Sequence, residues 1–195
     1  QTAHKLIMDA VESGVKVKDI YLYVFQQSQY EVGRLWLNNQ ISVAKEHFAS
    51  AATQQIMAQL YPYIFSSRKI GKSMVAATVG GELHELGIRM VADFFEMEGW
   101  DTYYLGANTP AASIVQAAKE YNDDLVALSA AMPYHRSVLK EIVGEIRQQV
   151  DDSNLKIMIG GNAIKNNATD WQWFGADAYA SDAQKAIKKA FEIVQ

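Results

Sequence analysis

Apolar positions along this chain follow two different rhythms. Up to about Phe65 they recur at helical spacing. Ala3, Leu6, Ile7, Ala10 and Val11 form one stripe over residues 1–13, which Gly14 closes. Ile20, Val24, Phe25, Val32 and Leu35 form a second over residues 18–37, read as one helix or two. Asn38 and Asn39 break the run, Ser42 is placed as an N-cap, and residues 43–60 carry a third stripe through Ala44, Phe48, Ala51, Ala52 and Met57. Tyr61-Pro62 and the polar Ser66-Ser67-Arg68-Lys69 read as a linker. After Gly71 the period changes. Short β-like runs at residues 74–79, 102–105, 125–128, 155–159 and 178–179 alternate with helical stretches at 88–97, 110–121, 138–150 and 182–194, and Pro110 suits a first helical position after Thr109. Such alternation predicts right-handed crossovers and a parallel five-stranded sheet with helices on both faces. The expected class is α/β: a small helical bundle over residues 1–68, then a doubly wound domain over residues 69–195.

Composition narrows the function classes. The 195 residues are 49% hydrophobic, enough to bury a sizeable core in one or two domains. A net charge of −4 with 21% charged residues argues against a nucleic-acid-binding surface over the whole chain, and no Lys/Arg run appears. The absence of cysteine removes disulfides, thiolate zinc sites and cysteine nucleophiles, and it fits a reducing cytoplasm. No uninterrupted apolar run approaches the roughly 18 residues of a membrane span. No signal peptide is visible, and the start at Gln1 reads as a trimmed piece of something longer.

The candidate chemistry gathers at strand ends. Gly80-Gly81-Glu82-Leu83-His84-Glu85-Leu86-Gly87 follows the first β-like run and opens a helix, so His84 falls in a strand–helix turn. Ligands of parallel sheets collect at that edge. A neutral imidazole there suits a borderline metal, Glu82 is placed to hold its other nitrogen, and Gly87 lets backbone approach something large. Ser129, at the end of the third run, either bonds a buried polar ligand or starts a loop before Pro133. Gly160-Gly161, after the fourth, permits a tight turn or the close approach of a flat ligand. His4 has no supporting company, and His135 lies on the same edge without a partner the sequence reveals.

Together Glu82-x-His84-x-x-Gly87, Ser129-x-Ala131 and Gly160-Gly161 resemble the pattern of the cobalamin-binding domain family, a helix bundle with a flavodoxin/Rossmann-like domain. The resemblance implies that His84 is the lower cobalt ligand and that the displaced nucleotide tail runs past Ser129 to the paired glycines. Glu82 stands where the family pattern has Asp, and Ala131 where it has Leu. Trp36, then residues 39–43, then Glu46-His47 resemble the helix bundle of the cobalamin-dependent light-sensing transcription regulators. That likeness implies a bundle capping the upper corrin face. Trp36 would shield the face, Glu46 touch the upper ligand, and His47 take the cobalt once that ligand leaves. The expectation is a cytoplasmic adenosylcobalamin-binding photosensor without substrate turnover. Methylcobalamin and hydroxocobalamin are the other forms considered, and the partners expected are a second copy or a partner regulator. Those regulators carry an N-terminal DNA-binding domain, which this chain is expected to lack. The alternative is a corrinoid methyl carrier of a methyltransferase system. A mutase would need a large barrel domain, and a flavodoxin-like response module would need an acidic strand-end cluster.

Overall fold

The computed structural model describes residues 2–65, 68–121, 124–150, 154–164 and 170–194. Two compact units divide the chain, Gln1–Phe65 and Ser66–Gln195. Gln1 and the Ser66-Ser67 part of the expected linker lie outside the described residues.

The first unit is helical. Helix α1 spans Thr2–Glu12 and ends at Gly14, whose φ of 92° suits a residue without Cβ. Helix α2 (Val17–Ile20) runs through a π-helical stretch, Tyr21–Phe25, into α3 (Gln26–Leu37). The second stripe is thus one continuous helical path with a wider turn inside it. That turn rotates Tyr21, Leu22 and Phe25 into burial. Helix α4 (Val43–Ile64) begins as expected at Ser42, whose hydroxyl accepts from the Lys45 N–H. It does not stop at Tyr61-Pro62. Pro62 sits in its last turn, and the helix closes two residues later at Ile64.

The second unit is a doubly wound sandwich. Strands β1 (Ser73–Thr78), β2 (Asp101–Gly106), β3 (Leu125–Ser129), β4 (Lys156–Gly160) and β5 (Ala178–Ala180) form one sheet in the order β2-β1-β3-β4-β5, every pair parallel. Helices α5 (Leu86–Met97), α6 (Ala111–Glu120), α7 (Arg136–Gln149) and α8 (Ala183–Ile193) cover it. Alternate residues split the core into two layers. Val75, Ala77, Val126, Leu128, Ile157 and Ile159 meet α6 and α7, while Met74, Ala76, Leu125, Ala127 and Met158 meet α5 and α8. Burial on both faces is why these strands read as unbroken apolar runs. Pro110 proves to be the N-cap of α6 rather than its first residue, with extended backbone (ψ 146°). No helix among the described residues is long and apolar enough to cross a membrane.

Registry fixes the edge that matters. Thr78 pairs with Ser129, and Ser129 with Gly160. The last residues of β1, β3 and β4 therefore lie side by side at the carboxyl edge.

Candidate functional site

The loop from β1 to α5 is organised by one carboxylate, Glu82, which is fully buried. Its Oε1 accepts the His84 backbone N–H at 3.0 Å and lies 2.5 Å from the His84 Nδ1. Its Oε2 accepts the N–H groups of Ala131 at 2.8 Å and Met132 at 3.1 Å, and lies 2.9 Å from the Nδ1 of His135. Burial pushes this carboxyl up, but the bonds from the His84 backbone and ring, the His135 ring and Ala131 outweigh it and hold the group at about 2. An ionised carboxylate only accepts, so both rings donate from Nδ1. In neutral His84 the lone pair is thereby placed on Nε2, which no described residue engages, on a side chain 60% exposed.

The backbone of the loop is held from beneath. The buried Thr78 hydroxyl donates to the Glu82 carbonyl at 2.7 Å and accepts from the Asn108 N–H at 2.9 Å. Asn108, at a φ of 52° that asparagine tolerates, accepts from the Gly81 N–H through Oδ1 at 2.7 Å. At the far end of the loop the Tyr104 hydroxyl donates to Glu85 Oε2 at 2.7 Å. Burial and that carboxylate raise the phenol well above its usual range. Strands β1 and β2 and the stretch that follows β3 thus all contribute to fixing one histidine.

The other sequence-predicted residues fall as follows. Gly87 is in the first turn of α5, and a Cβ there would meet no protein atom within 4 Å. Ser129 is buried at the end of β3. Gly160 and Gly161 have a reason internal to the fold. A Cβ on Gly160 would lie 2.9 Å from the Ala180 carbonyl oxygen, and one on Gly161, at φ 99°, only 2.2 Å from that of Ala130. Ala131 serves through its amide. His135 was set aside by the sequence reading, yet it is buried against Glu82.

In the bundle, Glu46 Oε2 lies 2.6 Å from the His47 Nδ1, and Oε1 accepts from Ser50 at 2.8 Å. Ser50 Oγ is also 3.1 Å from Gln29 Oε1, whose amide donates to Thr53 at 2.8 Å. Trp36 is near the end of α3, with 39% of its surface exposed.

Fold and edge together define a doubly wound ligand-binding domain that offers a free imidazole nitrogen at the sheet's carboxyl edge. Residues 72–188 match the B12 binding domain family and residues 1–61 match a second B12 binding domain, so the chain belongs to the B12-binding family. It is 30% identical over 165 residues to dimethylamine corrinoid protein 1 of Methanosarcina acetivorans, covering 85% of this chain and 75% of that protein. The monomethylamine corrinoid protein of Methanosarcina barkeri shares the fold, with a TM-score of 0.85 over 97% of this chain and 89% of that one at 22% identity. A cobalamin-binding protein from Desulfitobacterium hafniense is 26% identical over the whole chain and 92% of its own, with a TM-score of 0.61.

These relatives overturn the photosensor expectation and, with it, light sensing and transcription regulation. Chains similar over most of this length are corrinoid proteins named for methylamines. The helical half that suggested a regulator is itself a B12 binding domain, so its presence does not separate sensor from carrier.

Proposed function

We propose that this chain is a cobalamin-carrying subunit of a methyl-transfer system. The observation that carries the reading is the His84 imidazole, oriented through Nδ1 by a buried carboxylate with Nε2 left open at the sheet edge. Among the described residues no group of three or more His, Asp or Glu side chains could hold a bare metal ion. A single oriented imidazole therefore suits a metal that arrives in its own macrocycle. Ser129, buried at the end of β3, suits a polar tail, and the open space at Gly87 suits a flat group lying against the helix start. Both observations fit a corrinoid.

The roles follow from the chain. His84 is the lower cobalt ligand and Glu82 fixes its tautomer and aim. Gly87 admits the macrocycle, Ser129 bonds the tail, and Gly160 and Gly161 shape the wall beside it. Trp36, Glu46 and His47 are assigned to the upper face, with His47 as the ligand available there. When bound, the cobalt supplies the electron pair that takes up a methyl cation equivalent from a methylated donor and returns it to an acceptor. The form carried in turnover is accordingly the methylated one, not the adenosylated one. The partners are methyltransferases.

Binding of hydroxocobalamin, followed by visible absorbance, tests the site: wild type takes it up with an imidazole-coordinated spectrum, and His84→Ala loses that spectrum and most of the affinity. Chemical reduction and then labelled methyl iodide tests the carrier role. Retention of label by the wild-type holoprotein, and its release to a thiol acceptor in the presence of a methyltransferase, is expected. A holoprotein that retains no label sinks the carrier reading.

A further inference from the structure

Glu82 has one more rotatable bond than the aspartate of the family pattern, so its position alone does not aim Oε1 at His84. Oε2 must be pinned. Two of its partners, the Ala131 and Met132 amides, come from the stretch that follows β3. The third comes from the 3-10 turn Pro133–His135 that leads into α7, where the His135 ring is 7% exposed. That ring is wedged. Its Nδ1 meets Glu82 at 2.9 Å, while its Nε2 backs onto Gly81, where a Cβ would come within 3.3 Å. The Tyr134 ring packs edge-on at 4.3 Å between centroids. A side chain so confined, bonded to the far oxygen of the carboxylate that orients His84, has one function the geometry supports.

We propose that His135 is a positioning residue for the lower cobalt ligand, acting through Glu82 to hold the His84 imidazole in line for coordination. The proposal rests on the cobalamin reading above. It also accounts for the loop's composition. Gly81, whose φ of 82° already favours glycine, leaves room for the His135 ring behind it, and the longer Glu82 is accommodated because a second imidazole braces its far oxygen.

The test compares wild type, His135→Ala and His135→Asn, each loaded with hydroxocobalamin and reduced to the cobalt(II) state. Electron paramagnetic resonance then reports whether one axial nitrogen is bound. His135→Ala is expected to lose about tenfold in cobalamin affinity, the lower end of what removing such an outer partner costs, and to lose much of the nitrogen-split signal. His135→Asn, whose amide can donate from the place of Nδ1, is expected to restore both. A merely structural role would lower the melting temperature while leaving the nitrogen splitting of bound cobalamin intact. Folded His135→Ala with wild-type splitting and affinity overturns the proposal. Should that variant fail to fold, wild type still decides. The His135 Nδ1 proton, followed by NMR, is expected to shift when cobalamin is added, and an unmoved resonance overturns the idea. A wild type that carries no cobalamin, or carries it without a His84 nitrogen, removes the cobalamin reading itself; normal wild type with indifferent His135 variants removes this proposal alone.

Discussion

Glu82 lies 2.5 Å from the ring of His84 in the sheet unit, and Glu46 lies 2.6 Å from the ring of His47 in the bundle, so the two pairs share one bond chemistry. Their surroundings differ. Glu82 is fully buried, and its carboxylate receives donors from its own loop, from the stretch after β3 and from the start of α7. Glu46 keeps 24% of its side chain exposed on a helix and accepts a second bond from Ser50, one turn along the same helix. A carboxylate bonded from several separate chain segments cannot swing without breaking tertiary contacts. One bonded within its own helix can follow any rotamer its neighbour adopts. The sheet pair is built as a fixed aim and the bundle pair as an adjustable one.

The largest expected effect separates the pairs directly. Glu82→Gln keeps the shape but turns an amide N–H₂ toward donors, leaving buried N–H groups unbonded, and should destabilise the sheet unit by about 3 kcal/mol. Glu46→Gln disturbs a partly exposed pair and should cost about 0.5 kcal/mol or less. Urea unfolding read by near-ultraviolet circular dichroism measures both, and equal losses would abolish the distinction. Next comes Thr78→Val. It removes the donor to the Glu82 carbonyl and the acceptor of the Asn108 N–H, both buried, for about 2 kcal/mol. Amide exchange at Asn108 and Gly81 should quicken with it, whereas unchanged exchange would mean that the loop is rigid for another reason.

How far this asymmetry could be read in the sequence depends on the range of each interaction. Strands β1, β3 and β4 were legible because burial on both faces leaves unbroken apolar runs, and Ser42 was legible because capping is local. His84 with Glu82 was legible too, their separation being two residues. His135 was not, because its carboxylate lies 53 residues away and nothing in Pro133-Tyr134-His135 points to it. The Ala131 and Met132 amides carry no side-chain signature at all, so the donors that make Glu82 rigid were hidden. The paired glycines were legible as a strand-end turn, and the backbone of Ala130 and Ala180 supplies one reason for them by excluding a Cβ there. Tyr61-Pro62 reads as a break, although α4 carries Pro62 and ends only at Ile64. The bundle misled most, since the Trp36, Glu46 and His47 pattern was read as a regulator's, while chains similar over most of this length are corrinoid proteins.

Two smaller effects sharpen the comparison. Ser50→Ala removes the hydroxyl between Glu46 and Gln29, and should cost no more than about 1 kcal/mol because water can replace it at a half-buried site. Its useful readout is rotamer freedom at His47, which should rise in side-chain relaxation measurements. A His47 ring as still as that of His84 would show the bundle pair to be fixed by something other than this network.

Gly87→Ala carries a small expected change in stability, of the sign opposite to the rest. A methyl group there meets no protein atom within 4 Å, and alanine is the better helix former, so the protein without cofactor should gain about 0.5–1 kcal/mol. Affinity for hydroxocobalamin should fall at the same time, because the space the methyl enters is the space assigned to the macrocycle above His84. The two measurements, a melting curve without cofactor and a titration with it, must therefore move in opposite directions. A variant that is more stable and binds as well as wild type would mean that the fixed imidazole faces something smaller than a corrinoid, and that the rigidity around Glu82 serves another ligand.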